Sequence, residues 1–376
     1  MRLEATELTD DELDLQKRVR DWLRARLPAG SYELGLGMSG EVDPQFSKDL
    51  GSQGWLGMAL PTEYGGHGRS AVERLIVVEE LLAVGAPVGY HWVGDRQSGP
   101  SIAKHGTEEQ KREILPGIVS GELSFAIGMS EPDSGSDLAS LRTRAVQDGD
   151  SWRVNGAKIW TSGAYESTHI LALFRTSDDK HAGLTQFVVP RDAEGLTINK
   201  IPFIDGTRHF CEIHFDDMVL PDSARMGEIG GGWGQNTAEL VLERGGVDRW
   251  MSVMPILENW ARSRTIAGDT AAEADLGAIA ARSWAFRGLS LSVARMVDEG
   301  KSPVTEAALI KEMATRFEQE CVDIVARHYG RTPDLHSDDP YESLLARAIL
   351  VSPSWTIRGG TNEILRTVIS KGLNKR

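Results

Sequence analysis

Two stretches decide how this chain folds: Met129-Ser130-Glu131-Pro132-Asp133-Ser134-Gly135-Ser136-Asp137 and, further along, Lys158-Ile159-Trp160-Thr161-Ser162-Gly163. The first is a loop dense in hydroxyls and backbone donors, its path fixed by a Pro and a Gly. The second sets a large flat indole beside two more hydroxyls at the end of a strand-like run. Together they offer hydrogen-bond donors for the edge of a planar heterocycle and an aromatic wall for its face.

Length and composition agree with a globular chain of two or three packed domains. A chain of 376 residues exceeds one simple core. Its hydrophobic share of 40% and charged share of 26% are those of an ordinary soluble globular protein. A formal charge of −14 argues against a nucleic-acid surface, which needs a basic stripe. No apolar run approaches the length of a membrane span, and no apolar segment opens the chain, so neither a membrane anchor nor a signal peptide is expected. Cys211 and Cys321 form no disulfide framework and no metal-ligand cluster, which points to a cytoplasmic location and to no bound metal.

The periodicity changes twice along the chain. Up to about residue 122 the punctuation is helical: Thr9-x-x-Glu12 is a capping box, with Leu13, Leu15, Val19, Trp22, Leu23 and Leu27 following at roughly helical spacing. A Gly-rich bend spans Trp55 to Gly66, a helical run spans Ala71 to Val84, and Thr107-Glu108-Glu109 opens another helix with acids in its first turn. From about 123 to 227, short strands around Ser151–Gly156, Ile170–Phe174, Leu184–Pro190 and Cys211–Phe215 alternate with Gly, Asp and Pro turns. From 228 the pattern is helical again, interrupted by a polar segment from Arg331 to Pro340.

On the two quoted stretches and on this helical, β, helical order, the chain resembles the acyl-CoA dehydrogenase family. The resemblance implies an α+β fold: an N-terminal all-α domain (1–122), a middle antiparallel β domain holding the flavin ring and CoA arm (123–227), and a C-terminal four-helix-bundle domain (228–376) for catalysis and oligomerisation. FAD is the implied cofactor. Met129, Ser130, Gly135 and Ser136 match the family loop that meets the flavin and the start of the CoA arm. Trp160, Thr161 and Ser162 match the segment that walls the ring and bonds near its N5. Donors along that edge stabilise the negative charge of the reduced ring. Thr361 and Glu363 fall in the family's C-terminal cofactor segment, and Ser136 and Arg244 at its substrate contacts.

Desaturating the Cα–Cβ bond of a thioester requires a base for the α-proton while hydride leaves Cβ for flavin N5. Many family members carry that Glu in a Tyr-Glu-Gly-Thr segment near the C-terminus. Here the segment reads Arg358-Gly359-Gly360-Thr361-Asn362-Glu363, so Gly359 stands where the carboxylate would be. A second subset of the family carries its base on an earlier helix, where this chain has Glu243-Arg244. The resemblance therefore implies Glu243 as the base. The Gly359 N–H survives as the group that polarises the thioester carbonyl.

The family's grip on the adenosine half of FAD in a neighbouring subunit is altered. One segment reads Arg264-Thr265-Ile266-Ala267-Gly268 without the usual Phe, and Asp275 stands where a Gln is usual. An Asp there faces pyrophosphate charge unfavourably. The other reads Ala326-Arg327-His328-Tyr329-Gly330-Arg331-Thr332-Pro333 and lacks paired glycines. Two arrangements follow: an α2β2 assembly in which a homologous second subunit supplies the clamp, or a homotetramer using Arg327 or Arg331 instead. Heterotetramers of the first kind act on bulky acyl-CoAs, including steroid side-chain thioesters. The substrate expected is an acyl-CoA with a bulky or branched chain, and the electron acceptor an electron-transferring flavoprotein or another acceptor. The rival functions are a flavin oxidase or monooxygenase on the same fold, and a partner subunit with little activity of its own. A DNA-associated relative is disfavoured by the acidic charge.

Overall fold

The computed structural model describes residues 3–39, 41–237, 245–263 and 268–374. Its chain sorts into two compact units. The first comprises residues 1–41, 70–88 and 241–376, the second 42–69 and 89–240.

The second unit is built on an eight-stranded sheet: β1 (Phe125–Gly128), β2 (Arg144–Asp148), β3 (Ser151–Ser162), β4 (His169–Arg175), β5 (Leu184–Pro190), β6 (Leu196–Ile201), β7 (Phe210–Pro221) and β8 (Arg225–Met226). Their spatial order is β6-β7-β3-β2-β4-β5-β8, with β1 added beside β4. Most pairs are antiparallel, as the alternating strands suggested. The sheet is nevertheless mixed, because β1 runs parallel to β4, with Phe125 opposite His169 and Gly128 opposite Ala172. Strand β3 alternates buried Trp152 and Val154 with exposed Arg153 and Asn155, so one face of the sheet is committed to the core. On that face Phe174 meets Phe187 and Phe215 with ring centroids 5.6 and 5.1 Å apart, and Trp152 meets Phe187 at 5.4 Å. Each such ring contributes on the order of 1.5–3 kcal/mol through burial. The helices of this unit include α2 (Pro44–Ser52), α4 (Gly99–His105) and α5 (Glu108–Val119). Thr107 and Gln110 form the capping box that starts α5.

The first unit is helical: α1 (Asp10–Arg26), α3 (Ala71–Ala83), α6 (Met254–Arg262), α7 (Thr270–Asp298), α8 (Val304–Tyr329), α9 (Pro340–Val351) and α10 (Asn362–Leu373). Thr9 caps α1 reciprocally with Glu12, as the sequence pattern requires, and Ser70 does the same for α3 with Glu73. Glu12 and Glu79 are then gripped by Arg295 and Arg287 of α7. Helix α8 buries Ala307, Ile310, Ala314, Phe317, Cys321, Val322 and Val325, and Phe317 meets Phe286 of α7 at 5.1 Å. Among the described residues, no helix is long and apolar enough to cross a membrane.

Candidate active site

In the sheet unit, β1 hands the chain into the hydroxyl-rich loop through Met129, which packs beside buried Leu141, Leu173 and Leu184. The loop is pinned from inside by Glu131. Its carboxylate accepts the N–H groups of Arg142 (2.6 Å) and Thr143 (2.9 Å) and the Lys158 ammonium (2.8 Å). Lys158 also donates to the Met129 carbonyl at 3.0 Å, and the Ile159 N–H to the Ser130 carbonyl at 2.9 Å. Burial opposes the Glu131 charge, but Lys158 and the donors prevail and hold the carboxyl below its usual range. Burial pulls the Lys158 ammonium down to about 8, with Glu131 opposing. Glu131 and Ser134 exchange backbone hydrogen bonds, and the Ser134 hydroxyl donates to the Asp137 carbonyl at 2.8 Å. With its interior fastened this way, the loop presents Gly135 and Ser136 outward, and nothing lies within 4 Å of where a Gly135 side chain would begin.

Strand β3 is irregular between Lys158 and Thr161, and there Trp160 takes a left-handed backbone, φ 61°. A bulky residue rarely adopts that conformation, and such strain concentrates at functional sites. Trp160 is 52% exposed, and its indole stands edge-on to Phe210 of β7, 6.1 Å between centroids. Next to it, the Thr161 hydroxyl is buried with no hydrogen-bond partner. Among the described residues none is found for the Ser162 hydroxyl either. Gly163 then turns away in the left-handed region, its N–H donating to the His209 carbonyl at 2.7 Å. A buried hydroxyl without a protein partner is commonly satisfied by an ordered water or a bound group. A half-exposed, strained indole beside such hydroxyls fits the face and edge of a flavin ring. Phe210, which buttresses Trp160, escaped the sequence reading because it lies on a strand distant in the chain.

In the helical unit, Gly359 and Gly360 form a left-handed turn, φ 67° and 88°. The Thr361 hydroxyl caps α10 by accepting the Ile364 N–H, and Glu363 is exposed in its first turn. Gly359, Thr361 and Glu363 thus share one turn, while Met129, Ser130, Gly135, Ser136, Trp160, Thr161 and Ser162 lie together in the sheet unit. Glu243 and Arg244 lie outside the described residues, as do Arg264 to Ala267.

The altered clamp positions pair with each other. The Asp275 carboxylate of α7 lies 2.8 Å from His328 Nε2 of α8, and that imidazole stacks on Trp260 at 5.4 Å. Arg331 donates to Glu342 at 2.8 Å and holds that carboxyl at about 2. One of the two arginines suggested as a substitute phosphate contact is therefore already engaged.

Three family models match in sequence: the acyl-CoA dehydrogenase N-terminal domain over residues 9–122, the middle domain over 126–218 and the C-terminal domain over 230–374. This chain belongs to the acyl-CoA dehydrogenase family. It is 31% identical to the acyl-CoA dehydrogenase FadE26 of Mycobacterium tuberculosis, over 96% of each chain. Among solved structures it is similar to the Tcur3481-Tcur3483 steroid ACAD, with a TM-score of 0.88, 31% identity and all of both chains covered. It is likewise similar to the ChsE4-ChsE5 complex from Mycobacterium tuberculosis, with a TM-score of 0.80, 28% identity and all of both chains covered. The family's α+β fold and its standing among the oxidoreductases are thereby this chain's own. Acyl-CoA dehydrogenases use FAD.

Proposed function

We propose that the chain is a subunit of an FAD-dependent dehydrogenase that desaturates the Cα–Cβ bond of a bulky acyl-CoA thioester. The observation that carries this reading is the strained, half-exposed Trp160 followed by Thr161, whose buried hydroxyl has no hydrogen-bond partner among the described residues. Trp160 would wall the flavin, and the Ser130, Ser136 and Ser162 hydroxyls and the loop backbone would bind its edge and the start of the CoA arm. Bound FAD supplies the acceptor for the β-hydride. By the family resemblance Glu243 would take the α-proton and Arg244 would contact CoA, although both lie outside the described residues. The Gly359 N–H donates to the thioester carbonyl, stabilising the charge that develops there as the α-proton leaves. Thr361 and Glu363, next in the same segment, would contact the cofactor.

A steroid-like or branched acyl group is supported by likeness to a steroid ACAD, and by Gly359 standing where other members carry the base, which moves that role to the earlier helix. The internal Asp275–His328 pair supports an α2β2 assembly in which the homologous partner grips the adenosine half of FAD. A cytoplasmic setting with an electron-transferring flavoprotein as acceptor completes the reading.

The deciding experiment is native mass with flavin content, on the chain alone and co-expressed with a neighbouring homologous reading frame. One FAD per heterodimer, with little flavin on the isolated chain, supports the reading. A homotetramer with one FAD per subunit overturns the shared site. Within the active assembly, Glu243→Gln is expected to abolish turnover while leaving the flavin spectrum and thermal stability near wild type. Substantial residual activity would move the base elsewhere.

A further inference from the structure

Two adjacent left-handed glycines have no conformational preference that would aim the Gly359 N–H. The groups that fix the turn come from α8. Lys311, Thr315 and Glu318 recur at i, i+4 and i+7, hence on one face of that helix, and all three are fully buried. Lys311 Nζ donates to the carbonyls of Thr356 (3.0 Å) and Gly360 (2.7 Å) and to Asn362 Oδ1 (2.9 Å). Thr315 Oγ1 reaches the same Asn362 oxygen at 3.3 Å. Two turns on, Glu318 Oε2 accepts from Arg358 Nη2 at 2.6 Å, and its Oε1 accepts the Ser252 N–H at 2.8 Å. Arg358 Nη2 also donates to Ser252 Oγ (2.9 Å) and the Asp248 carbonyl (3.3 Å), and the guanidinium lies 5.6 Å from the Trp355 ring. The residue before Gly359 is tied to Glu318, and the carbonyl after it to Lys311.

Stability alone does not account for this arrangement. Desolvating two charges costs about as much as their attraction returns, and apolar residues of similar volume commonly replace a buried ion pair without loss. Burial pushes the Glu318 carboxyl up even with Arg358 against it. A pair kept under that cost, on the residue next to a reactive N–H, has a geometric use. We propose that Glu318 and Lys311 are positioning residues, which fix the Arg358–Gly360 turn from one face of α8 and so aim the Gly359 N–H in a single direction. The inference rests on the reading of Gly359 as the donor to the thioester carbonyl.

The test uses the FAD-loaded assembly carrying E318L/R358M, and separately K311M, each of which removes the contact with a side chain of comparable bulk. Hydrogen exchange of the 356–362 peptide, thermal midpoint, flavin content, and kcat and KM are measured together. Flavin content is expected to stay near wild type and the midpoint to fall, since buried partners of Lys311 and Glu318 are left unpaired, while exchange at 356–362 rises at least tenfold and kcat falls at least thirtyfold with KM within threefold. Glu318→Gln, which keeps one acceptor, is expected to fall between. Unchanged exchange at 356–362, or a kcat within threefold of wild type in both E318L/R358M and K311M, overturns the proposal. Should E318L/R358M not fold, K311M and Glu318→Gln decide by the same readouts. An assembly that binds FAD but turns over no acyl-CoA fails the functional reading instead, and the exchange of 356–362 then decides by itself whether α8 fixes the turn.

Discussion

Lys158 and Glu131, both buried, meet at 2.8 Å beneath the loop that carries Ser130, Gly135 and Ser136. The pair joins the two stretches that the sequence reading rests on, one at each end of a single buried contact. Lys158→Met leaves the Glu131 carboxylate desolvated and without its counter-charge, which costs about 3–5 kcal/mol. Chemical denaturation is expected to show that loss, with flavin released in parallel. The double variant K158M/E131L is expected to regain only part of the stability, because the Arg142 and Thr143 N–H groups lose their acceptor, and to regain no flavin, because the loop has lost its anchor. A stable, flavin-replete K158M would refute the pinning role.

Trp160 behaves in the opposite sense. Its left-handed backbone stores strain on the order of 1–3 kcal/mol, while its half-exposed ring returns only part of its burial energy. Trp160→Gly is therefore expected to leave the flavin-free protein at least as stable as wild type while weakening FAD retention. Thermal unfolding with and without added FAD checks both halves. A clear drop in flavin-free stability would show that the indole serves the fold and not the cofactor.

Acid sensitivity has an identifiable source in His91. Its ring is buried against Phe46, bonded to the Ser47 hydroxyl at 2.9 Å, and burial lowers its pKa from 6.5 to about 4. The folded state thus holds fewer protons than the unfolded chain across that interval. Stability is full above about pH 6.5 and falls as the pH drops toward 4, by about 3 kcal/mol in all from this group. Unfolding free energies at pH 7 and pH 5 are expected to differ less in His91→Asn than in wild type. Equal differences would remove His91 from the acid response.

The Asp275–His328 contact makes a prediction about stoichiometry. If this face leaves the adenosine half of FAD to a partner, Asp275→Asn and His328→Ala should leave flavin per assembly unchanged. Flavin loss in either variant would place these side chains near the dinucleotide after all.

Local chemistry is what a reader can recover from this sequence. Thr9-x-x-Glu12 caps a helix because both partners sit within one turn, and Leu184–Pro190 is a strand by its own composition and turns. The hydroxyl-rich loop at 129–137 was legible as a loop for the same reason. Contacts between distant residues were not: Phe210 behind Trp160, Glu318 beneath Arg358 and the parallel partner of β1 all join segments whose spacing carries no local signal. Lys158 was quoted for its neighbours, and only its burial against Glu131 shows what it does. Asp275 was read as a lost contact, but His328 gives it a partner.

The division of the chain bears on how the protein is made. Residues 42–69 and 89–240 complete the sheet unit, whereas α1 and α3 belong with helices encoded after residue 240. During synthesis the sheet can therefore close while α1 and α3 still expose Leu15, Val19, Leu23, Ile76 and Leu82 to the surroundings of the ribosome. Nascent chains stalled before α7 and α8 should be chaperone clients, and a destabilised C-terminal helix should show itself first as poor yield.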